Sequence, residues 1–362
     1  ILADRFFEPV RLLGLCHFLS AICLLGMWKV GSAEDAADHF WLLYVLFIGV
    51  SAFYMSAYSL ILTVCYALLR ARGFDPVKHF PPLRVYGTVG FICLMWATDL
   101  LGWQLSAAQF ALGGMVSVLL LAFTYTLPLC GRVSTPEART WVQRLGLDAL
   151  VLFKRRELAF FFLFVALIGI NLQVTNAFGT PYLNSFALKP EYAQSLVVQH
   201  TNILYSLSQV SECLCLLCIP FFMGRFGIRA VMLLAMLAWT LRFLFLGLGN
   251  PGEGLWLLLL SMLVYGFAFD FFAISCSIYI DMKAPPALRA SAQGLMWMMA
   301  NGVGSTAGAT LAQQVVDAHT IAGVIDWQPC WFIFAGYAAA VMVAFFVLFR
   351  PQAGEEPAKG AA

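Results

Sequence analysis

Long apolar runs separated by short polar connections account for most of this chain. A helix that crosses a bilayer needs about 20 predominantly apolar residues, and the runs are of that order of length. The pattern predicts an all-α polytopic membrane protein with ten visible transmembrane helices, placed roughly at residues 10–30, 40–68, 84–102, 107–128, 158–183, 199–223, 229–249, 254–281, 289–317 and 331–349.

Composition narrows the class of protein further. With 62% hydrophobic and 11% charged residues, the chain is too apolar for a water-soluble globule. Its net charge of +2 provides no concentrated basic surface, so we expect no nucleic-acid partner. Cys213, Cys215 and Cys218 are loosely spaced like metal ligands, but no His or further Cys lies nearby in sequence to complete a tetrahedral set. We therefore expect no metal and no other cofactor.

The basic residues are sorted by side of the predicted membrane. Nearly all Lys and Arg fall in connections on one side, whereas Lys29 and Lys189 lie on the other and Arg84 and Arg242 lie within spans. The positive-inside rule makes the basic side cytoplasmic. We expect a multi-pass protein of the bacterial inner membrane, with both termini of the full-length chain in the cytoplasm and the lipid bilayer around it.

The spans are distributed unevenly about one long connection. A basic cytoplasmic linker at 129–157 separates four predicted helices in 1–128 from six in 158–350, and residues 351–362 form a cytoplasmic tail. The charged turns at 1–5 and 224–229 resemble, in degenerate form, a turn of the major facilitator superfamily. That resemblance implies two six-helix halves. The first two helices would then be missing here, in agreement with a chain that begins at Ile1 rather than Met.

One carboxylate lies near the middle of an apolar run. Asp270 falls within the run from 255 to 280, where leaving a charge bare costs at least about 2.5 kcal/mol. A functional residue is the favoured interpretation, and a structural ion pair that fixes helix packing is the alternative. In a later span, Gly294, Gly302, Gly304 and Gly308 favour close helix packing over helix sliding.

Polar and aromatic residues recur on one face of four predicted helices. Lipid would penalise each of these polar groups, so we expect the faces to converge on a shared hydrated cavity near the membrane midplane. For a single amide, simple helix-to-helix hydrogen bonding is the alternative. In chain order the four sets are Arg84, Thr88 and Phe91; Gln173 and Asn176; Asn202, Tyr205, Gln209 and Glu212; and Tyr265, Phe269 and Asp270.

The residue types in this set indicate the chemistry of a ligand. Side-chain amides suit a neutral ligand with hydroxyl and amide-like groups, and the aromatic rings offer faces for stacking, which fits a nucleoside or a sugar. Glu212 and Asp270 are the acids deep in the spans and are candidates for carrying a proton; only the more apolar surroundings of Asp270 favour it over Glu212. Arg84 is either the counter-ion of Asp270 or an interfacial residue whose side chain reaches the membrane surface.

Several segments together resemble the bacterial nucleoside:proton symporters of the major facilitator superfamily. They are FPPLRVYGTVGF at 80–91, LQVTN at 172–176, SQVSE at 208–212, YGFAFDFF at 265–272, RASAQG at 289–294 and DWQ at 326–328. The resemblance implies nucleoside import coupled to protons. It also implies substrate contact by Arg84, Thr88, Phe91, Gln173, Asn176, Gln209, Glu212, Tyr265, Phe269 and Asp270.

The hypothesis from the sequence is therefore a secondary transporter that works by alternating access around a central site between its two halves. Its expected partners are a nucleoside, such as uridine, and a proton, and we expect a monomer. A sugar:proton symporter of the same fold remains an alternative, as does a non-transporting receptor that retains the fold. An enzyme is not expected, because the five His lie mainly near span ends and no catalytic constellation is visible.

Overall fold

A computed structural model describes residues 8–74, 76–129, 147–285 and 288–349. The predicted turn at 1–5, most of the predicted linker and the predicted tail at 351–362 lie outside those ranges. The described chain is mostly helical and divides into two compact units, Ile1–Ala138 and Arg139–Ala362. The four predicted domain ranges stay predictions.

The first unit contains four helices: α1 (Pro9–Gly31), α2 (Phe40–Ala71), α3 (Pro76–Leu100) and α4 (Ala108–Thr124). At the start of α1 the Glu8 carboxylate accepts a hydrogen bond from the Arg11 backbone N–H at 3.0 Å, and Pro9 supplies a helical φ where no N–H partner is needed. Helix α1 packs on both α2 and α4. A small apolar core lies between α1 and α2, around Leu13, Cys16 and Leu60.

The second unit contains the larger core. Its helices are α5 (Arg156–Ser185), α6 (Thr201–Leu248), α7 (Leu255–Lys283), α8 (Arg289–Met298), α9 (Ser305–Ala318) and α10 (Trp327–Leu348). A 3-10 helix at Leu147–Lys154 precedes α5, a second one at Phe186–Leu188 and a single turn at Leu196–Gln199 follow it, and a π-helix at Met299–Gly304 joins α8 to α9. Helix α6 packs along both α7 and α10.

Two predicted spans are joined with almost no connection. Helix α6 covers the predicted spans 199–223 and 229–249, and only Gly227 within it leaves the helical conformation, at φ 76° and ψ 166°. A residue with a Cβ is strained in that region, so glycine permits the sharp change of direction. The predicted charged turn at 224–229 is therefore reduced to one non-helical residue.

A short β-hairpin lies between α9 and α10 and was not predicted. Strands β1 (Thr320–Ile321) and β2 (Val324–Ile325) pair antiparallel, and the two residues between them both have positive φ. Such backbone angles are those of the tight turns that connect hairpin strands.

Six helices among the described residues are long and apolar enough to cross a membrane: Pro9–Gly31, Phe40–Tyr58, Arg156–Leu188, Thr201–Leu248, Leu255–Lys283 and Trp327–Leu348. Val85–Leu100 and Ala108–Thr124 are shorter apolar helices. These helices agree with a multi-pass membrane protein, and the count of ten spans stays a prediction.

Glycines in the π-helix and in α9 allow the backbone of these segments to contact the backbone of α5. A Cβ on Gly304 would lie 2.5 Å from the Ala166 carbonyl oxygen, and one on Gly308 would lie 3.0 Å from the Ile170 Cα. The close packing predicted for the glycine-rich span is therefore confirmed at these two positions. A Cβ on Gly294 would meet nothing within 4 Å, and one on Gly302 would meet only Met298, so the prediction is wrong there.

We predict that Gly304→Ala destabilises the protein by about 1–3 kcal/mol, because the added methyl group forces α5 away from the π-helix. The thermal unfolding midpoint of the purified protein in detergent measures the effect. Gly294→Ala is the matched control and should leave the midpoint unchanged or raise it. Equal midpoints for the two variants would show that the close approach is not needed.

Candidate binding site

Helices α6 and α7 meet at backbone distance beside the predicted site residues. The Ser211 hydroxyl donates to the Leu263 carbonyl and accepts a hydrogen bond from the Gly266 backbone N–H at 3.3 Å. A Cβ on Gly266 would lie 2.5 Å from the Ser211 carbonyl oxygen, so only glycine allows this approach. Since Glu212 follows Ser211 and Tyr265 precedes Gly266, the contact sets the distance between these two site residues.

Two aromatic side chains of α7 form a stacked pair. The rings of Tyr265 and Phe269 are parallel within 2° with centroids 5.8 Å apart, and their i, i+4 spacing places them on one face of α7. Trp239 packs edge-on against Tyr265 at 6.0 Å. Tyr265 is buried and Phe269 is half-buried, so the pair has one enclosed ring and one partly accessible ring.

The two acids of the predicted site belong to one cluster of residues. Asp270 is 3% exposed, which confirms the burial that its apolar run predicts, and Glu212 is half-buried on α6. Glu212 follows Ser211 on α6, and Asp270 lies one turn after Gly266 on α7, so both acids lie near the contact between these helices. The structure therefore places Glu212, Tyr265 and Asp270, which belong to two different helices, near one helix contact.

Arg242 is a member of this cluster that the sequence interpretation did not assign. Its side chain is 0% exposed, its Nη1 donates to the Ser261 carbonyl at 2.6 Å, and its Cζ lies 4.6 Å from the centroid of the Tyr265 ring. The available signal was the one that identified Asp270, namely an ionisable residue inside an apolar run. It was missed because Arg242 has no polar neighbours at helical spacing that would mark a face.

The polar residues of α5 differ in their accessibility. Gln173 is half-buried and Asn176 is exposed, whereas Asn171 is fully buried, and neither atom of its amide has a hydrogen-bond partner among the described residues. The Tyr205 hydroxyl of α6 donates to the Thr175 carbonyl of α5 at 3.1 Å. This bond brings the α5 face that carries Gln173 and Asn176 beside the first part of α6.

The four polar residues predicted to share one face of α6 have similar accessibility. Asn202, Tyr205, Gln209 and Glu212 are all half-buried, between full burial and open exposure. They recur about one turn apart along one helix, so they follow the same side of α6.

The predicted residues of the first unit lie on α3. Thr88 is half-buried and Phe91 is 51% exposed, and the two are separated by about one helical turn. The backbone of Arg84 lies in α3, but its side chain is outside the part of the chain whose side chains are described. The alternatives for Arg84, counter-ion or interfacial residue, therefore stay open.

A cavity of about 40 Å³ lies next to Phe269 in the second unit. It is lined by apolar groups, including Leu172, Trp239, Phe272 and Trp297. This volume holds no more than a water molecule or two, and the lining offers no hydrogen bonds. It is therefore not the hydrated cavity that the sequence predicts, which stays a prediction.

No group of three His, Cys, Asp or Glu residues suited to a metal ion occurs among the described residues. Within the cysteine cluster, the Cys215 Sγ lies 3.9 Å from the Ser211 hydroxyl. Cys215 therefore lies one turn after Ser211 on α6, next to the contact with α7.

The chain is similar to known proteins over nearly its whole length. A family model described as nucleoside H+ symporter matches residues 1–354. Over 351 residues the chain is 45% identical to the xanthosine permease and 42% identical to the nucleoside permease NupG, both of Escherichia coli K12. Each alignment covers 97% of this chain and 82% of the relative.

Two solved structures of a nucleoside transporter are also similar to this chain. A crystal structure of the nucleoside transporter NupG with a single Asp-to-Ala substitution has a TM-score of 0.90 at 41% identity, covering 96% of this chain and 85% of that chain. A second NupG crystal structure has a TM-score of 0.86 at 41% identity, covering 97% of this chain and 85% of that chain. The helical fold described above is thus shared with a solved transporter.

We predict that Ser211→Ala lowers the unfolding free energy by about 1 kcal/mol, because it removes the two hydrogen bonds that the Ser211 hydroxyl makes with α7. Thr310→Ala is the control, since the Thr310 hydroxyl is exposed and bonds only to Thr306 of its own helix. Unfolding in denaturing detergent measures both variants. A Ser211→Ala protein as stable as Thr310→Ala would contradict the role assigned to this contact.

Proposed function

This chain belongs to the nucleoside H+ symporter family, and we propose that it imports nucleosides across the bacterial inner membrane together with protons, through a site that includes the cluster around Tyr265. The family consists of transporters, so the chain is a transporter of nucleosides with proton coupling and not an enzyme. Xanthosine and other nucleosides are the substrate class that the names of the relatives suggest.

The observation that carries the proposal is the meeting of acids and aromatic rings at Tyr265. Tyr265 stacks on Phe269, and Glu212 and Asp270 lie on the two helices that meet beside this pair. A nucleobase has a flat face that stacks on aromatic rings, and a ribose has hydroxyls that carboxylates and amides can bind. The accessible ring of the pair, Phe269, is the surface that we assign to the base.

The amides complete the proposed site. Gln209 lies one turn before Glu212 on α6, and Gln173 and Asn176 lie on the neighbouring face of α5. An amide offers a donor and an acceptor together, which matches the edge of a nucleobase. The resemblance in sequence extends the proposed substrate contacts to Arg84, Thr88 and Phe91.

The proposed proton carriers are Asp270 and Glu212. Burial favours the neutral form of a carboxyl group, while a nearby cation favours the charged form. A carboxyl group subject to both effects can take up a proton when its site is open to one side of the membrane and release it when the site opens to the other. This exchange couples substrate movement to the proton gradient under alternating access.

We propose the orientation of the protein in the membrane from the positions of its basic residues. Arg225, Arg229, Lys283 and Arg289 lie at one end of the second unit's helices, and we assign that end to the cytoplasm. Glu157 and Lys283 form an ion pair at 3.1 Å at the same end, where the polar surface of a membrane would solvate it. We also propose that all ten predicted helices span the membrane and that the protein works as a monomer.

We predict that Asp270→Asn abolishes uridine accumulation driven by a pH gradient in proteoliposomes, because an amide cannot exchange a proton. Glu212→Gln should lower accumulation by about tenfold or more, since it removes one of the two acids at Tyr265. Asp281→Asn is the control: Asp281 is an exposed carboxylate on the same helix, paired with Arg289 at 3.7 Å, and should behave as wild type. Undiminished accumulation by Asp270→Asn would contradict the assignment.

We predict that unlabelled uridine and xanthosine compete with labelled uridine, whereas free ribose and disaccharides do not, because a sugar lacks the flat aromatic base that we assign to the Phe269 ring. Phe269→Ala should weaken uridine binding by about fivefold to tenfold. Competition measured in the same vesicles separates a nucleoside transporter from a sugar transporter of the same fold. Equal competition by ribose would contradict the proposed substrate class.

A further inference from the structure

We infer that the apolar cavity beside Phe269 is a subsite for a small apolar group at C5 of a pyrimidine nucleobase, such as a methyl group. The inference rests on the proposed function, which assigns the Phe269 ring to the base. It adds a preference among nucleosides that the proposed function alone does not give.

The cavity adjoins the stacked aromatic pair of α7. Phe269 lines it directly, and so does Trp239, which packs edge-on against Tyr265 at 6.0 Å. Phe269 is half-buried, so its ring borders both the cavity and accessible space. A base that lies on this ring therefore has one of its edges next to the cavity.

The wall of the cavity is made of apolar groups from several helices. Leu172 comes from α5, Trp239 from α6, Phe272 from α7 and Trp297 from α8. A buried water needs about two to four polar partners, so this wall favours an apolar occupant over water. An apolar group that enters gains contacts with the wall without displacing hydrogen-bonded water.

Small residues keep this space open. Ala268 and Ala273 of α7 carry only methyl groups, and Gly169 of α5 has no side chain; all three line the cavity. A Cβ on Gly169 would overlap the carbonyl of Ala300 in the π-helix, so this position is restricted to glycine. The contact of α5 with the π-helix therefore forms one wall, and no larger side chain at Gly169 fills the cavity.

The size of the cavity limits what it can receive. Its volume of about 40 Å³ accommodates a group about as large as a water molecule or two, such as a methyl group or a halogen. A ribose or a second ring does not fit. The cavity therefore takes a substituent of the base and not the base itself.

Only one edge of a pyrimidine matches an apolar cavity. In uracil, O2, N3 and O4 are hydrogen-bonding groups and N1 carries the ribose, which leaves the C–H groups at C5 and C6. The proposed amides, Gln173, Asn176 and Gln209, suit the polar edge. A methyl group at C5 is recognised in other proteins by apolar contact. With C5 at the cavity, the base keeps its polar edge for the amides.

Competition against labelled uridine, measured at equilibrium on the purified protein in detergent, tests the inference. We expect 5-methyluridine to bind about fourfold more tightly than uridine, which is the effect of burying one methyl group in an apolar site. The two ligands differ in that group alone, so the ratio of their affinities separates the cavity from the rest of the site.

Two variants change the volume of the cavity in opposite directions. Ala273→Leu fills it, and we expect the ratio to fall to about one. Leu172→Ala enlarges it, and we expect 5-ethyluridine to gain about fourfold over 5-methyluridine, compared with wild type. General weakening of the site lowers all these affinities and leaves the ratios unchanged. Ala340→Leu is the control, since Ala340 is exposed on α10 and should keep the wild-type ratio.

Equal affinities of the wild-type protein for uridine and 5-methyluridine overturn the inference, since the cavity is then a packing defect or a site for a lipid chain. A wild-type preference that Ala273→Leu retains also overturns it, because the methyl group then binds elsewhere. If Ala273→Leu does not elute as a single symmetric species in size-exclusion chromatography, Leu172→Ala decides, and an unchanged ratio of 5-ethyluridine to 5-methyluridine overturns the inference. A wild-type protein that binds neither nucleoside contradicts the proposed function itself.

Discussion

Burial of ionisable groups inside apolar helices is the constraint on which the rest of the structure depends. Asp270 and Arg242 are almost inaccessible, although a charge in such surroundings costs several kcal/mol unless opposite charge and hydrogen bonds offset it. Arg242 bonds to the Ser261 carbonyl and lies over the Tyr265 ring, and the acids Glu212 and Asp270 belong to the same unit of the chain. Because the balance depends on the charge of each acid, protonation changes the energy of the cluster, and this dependence is what a proton-coupled transporter requires.

Close helix contacts hold this cluster together. Ser211 and Gly266 bring α6 against α7 beside Glu212 and Tyr265, and Gly169 contacts the backbone of Ala300 where the π-helix passes α5. These contacts are made by small residues, because in lipid the association of helices depends on packing and hydrogen bonds rather than on a hydrophobic driving force. Movement of one helix would therefore change the distances among the charged groups as well as the packing.

The sequence predicted the buried acid and the shared face of α6, because each follows from helical spacing or from the length of an apolar run. It placed Tyr265 and Phe269 on one face of α7 but did not predict that their rings stack on each other. It did not predict the π-helix at Met299–Gly304, since that irregularity accompanies the contact with α5 and leaves no mark in the periodicity. The hairpin turn at Ala322 and Gly323 lacks the Asn-Gly or Asp-Gly signal that marks such turns. Arg242 was overlooked because Ser261 and Tyr265, which it contacts, lie on α7, and one-dimensional spacing does not reveal contacts between helices.

Proton flux driven by substrate tests the central claim most directly. Proteoliposomes without an imposed gradient, loaded with a pH-sensitive dye, should acidify inside when uridine is added outside, because nucleoside entry by symport brings protons with it, and we propose that Asp270 and Glu212 carry them. Uridine entry without acidification would contradict the account, since the buried acids would then be structural and unconnected to transport.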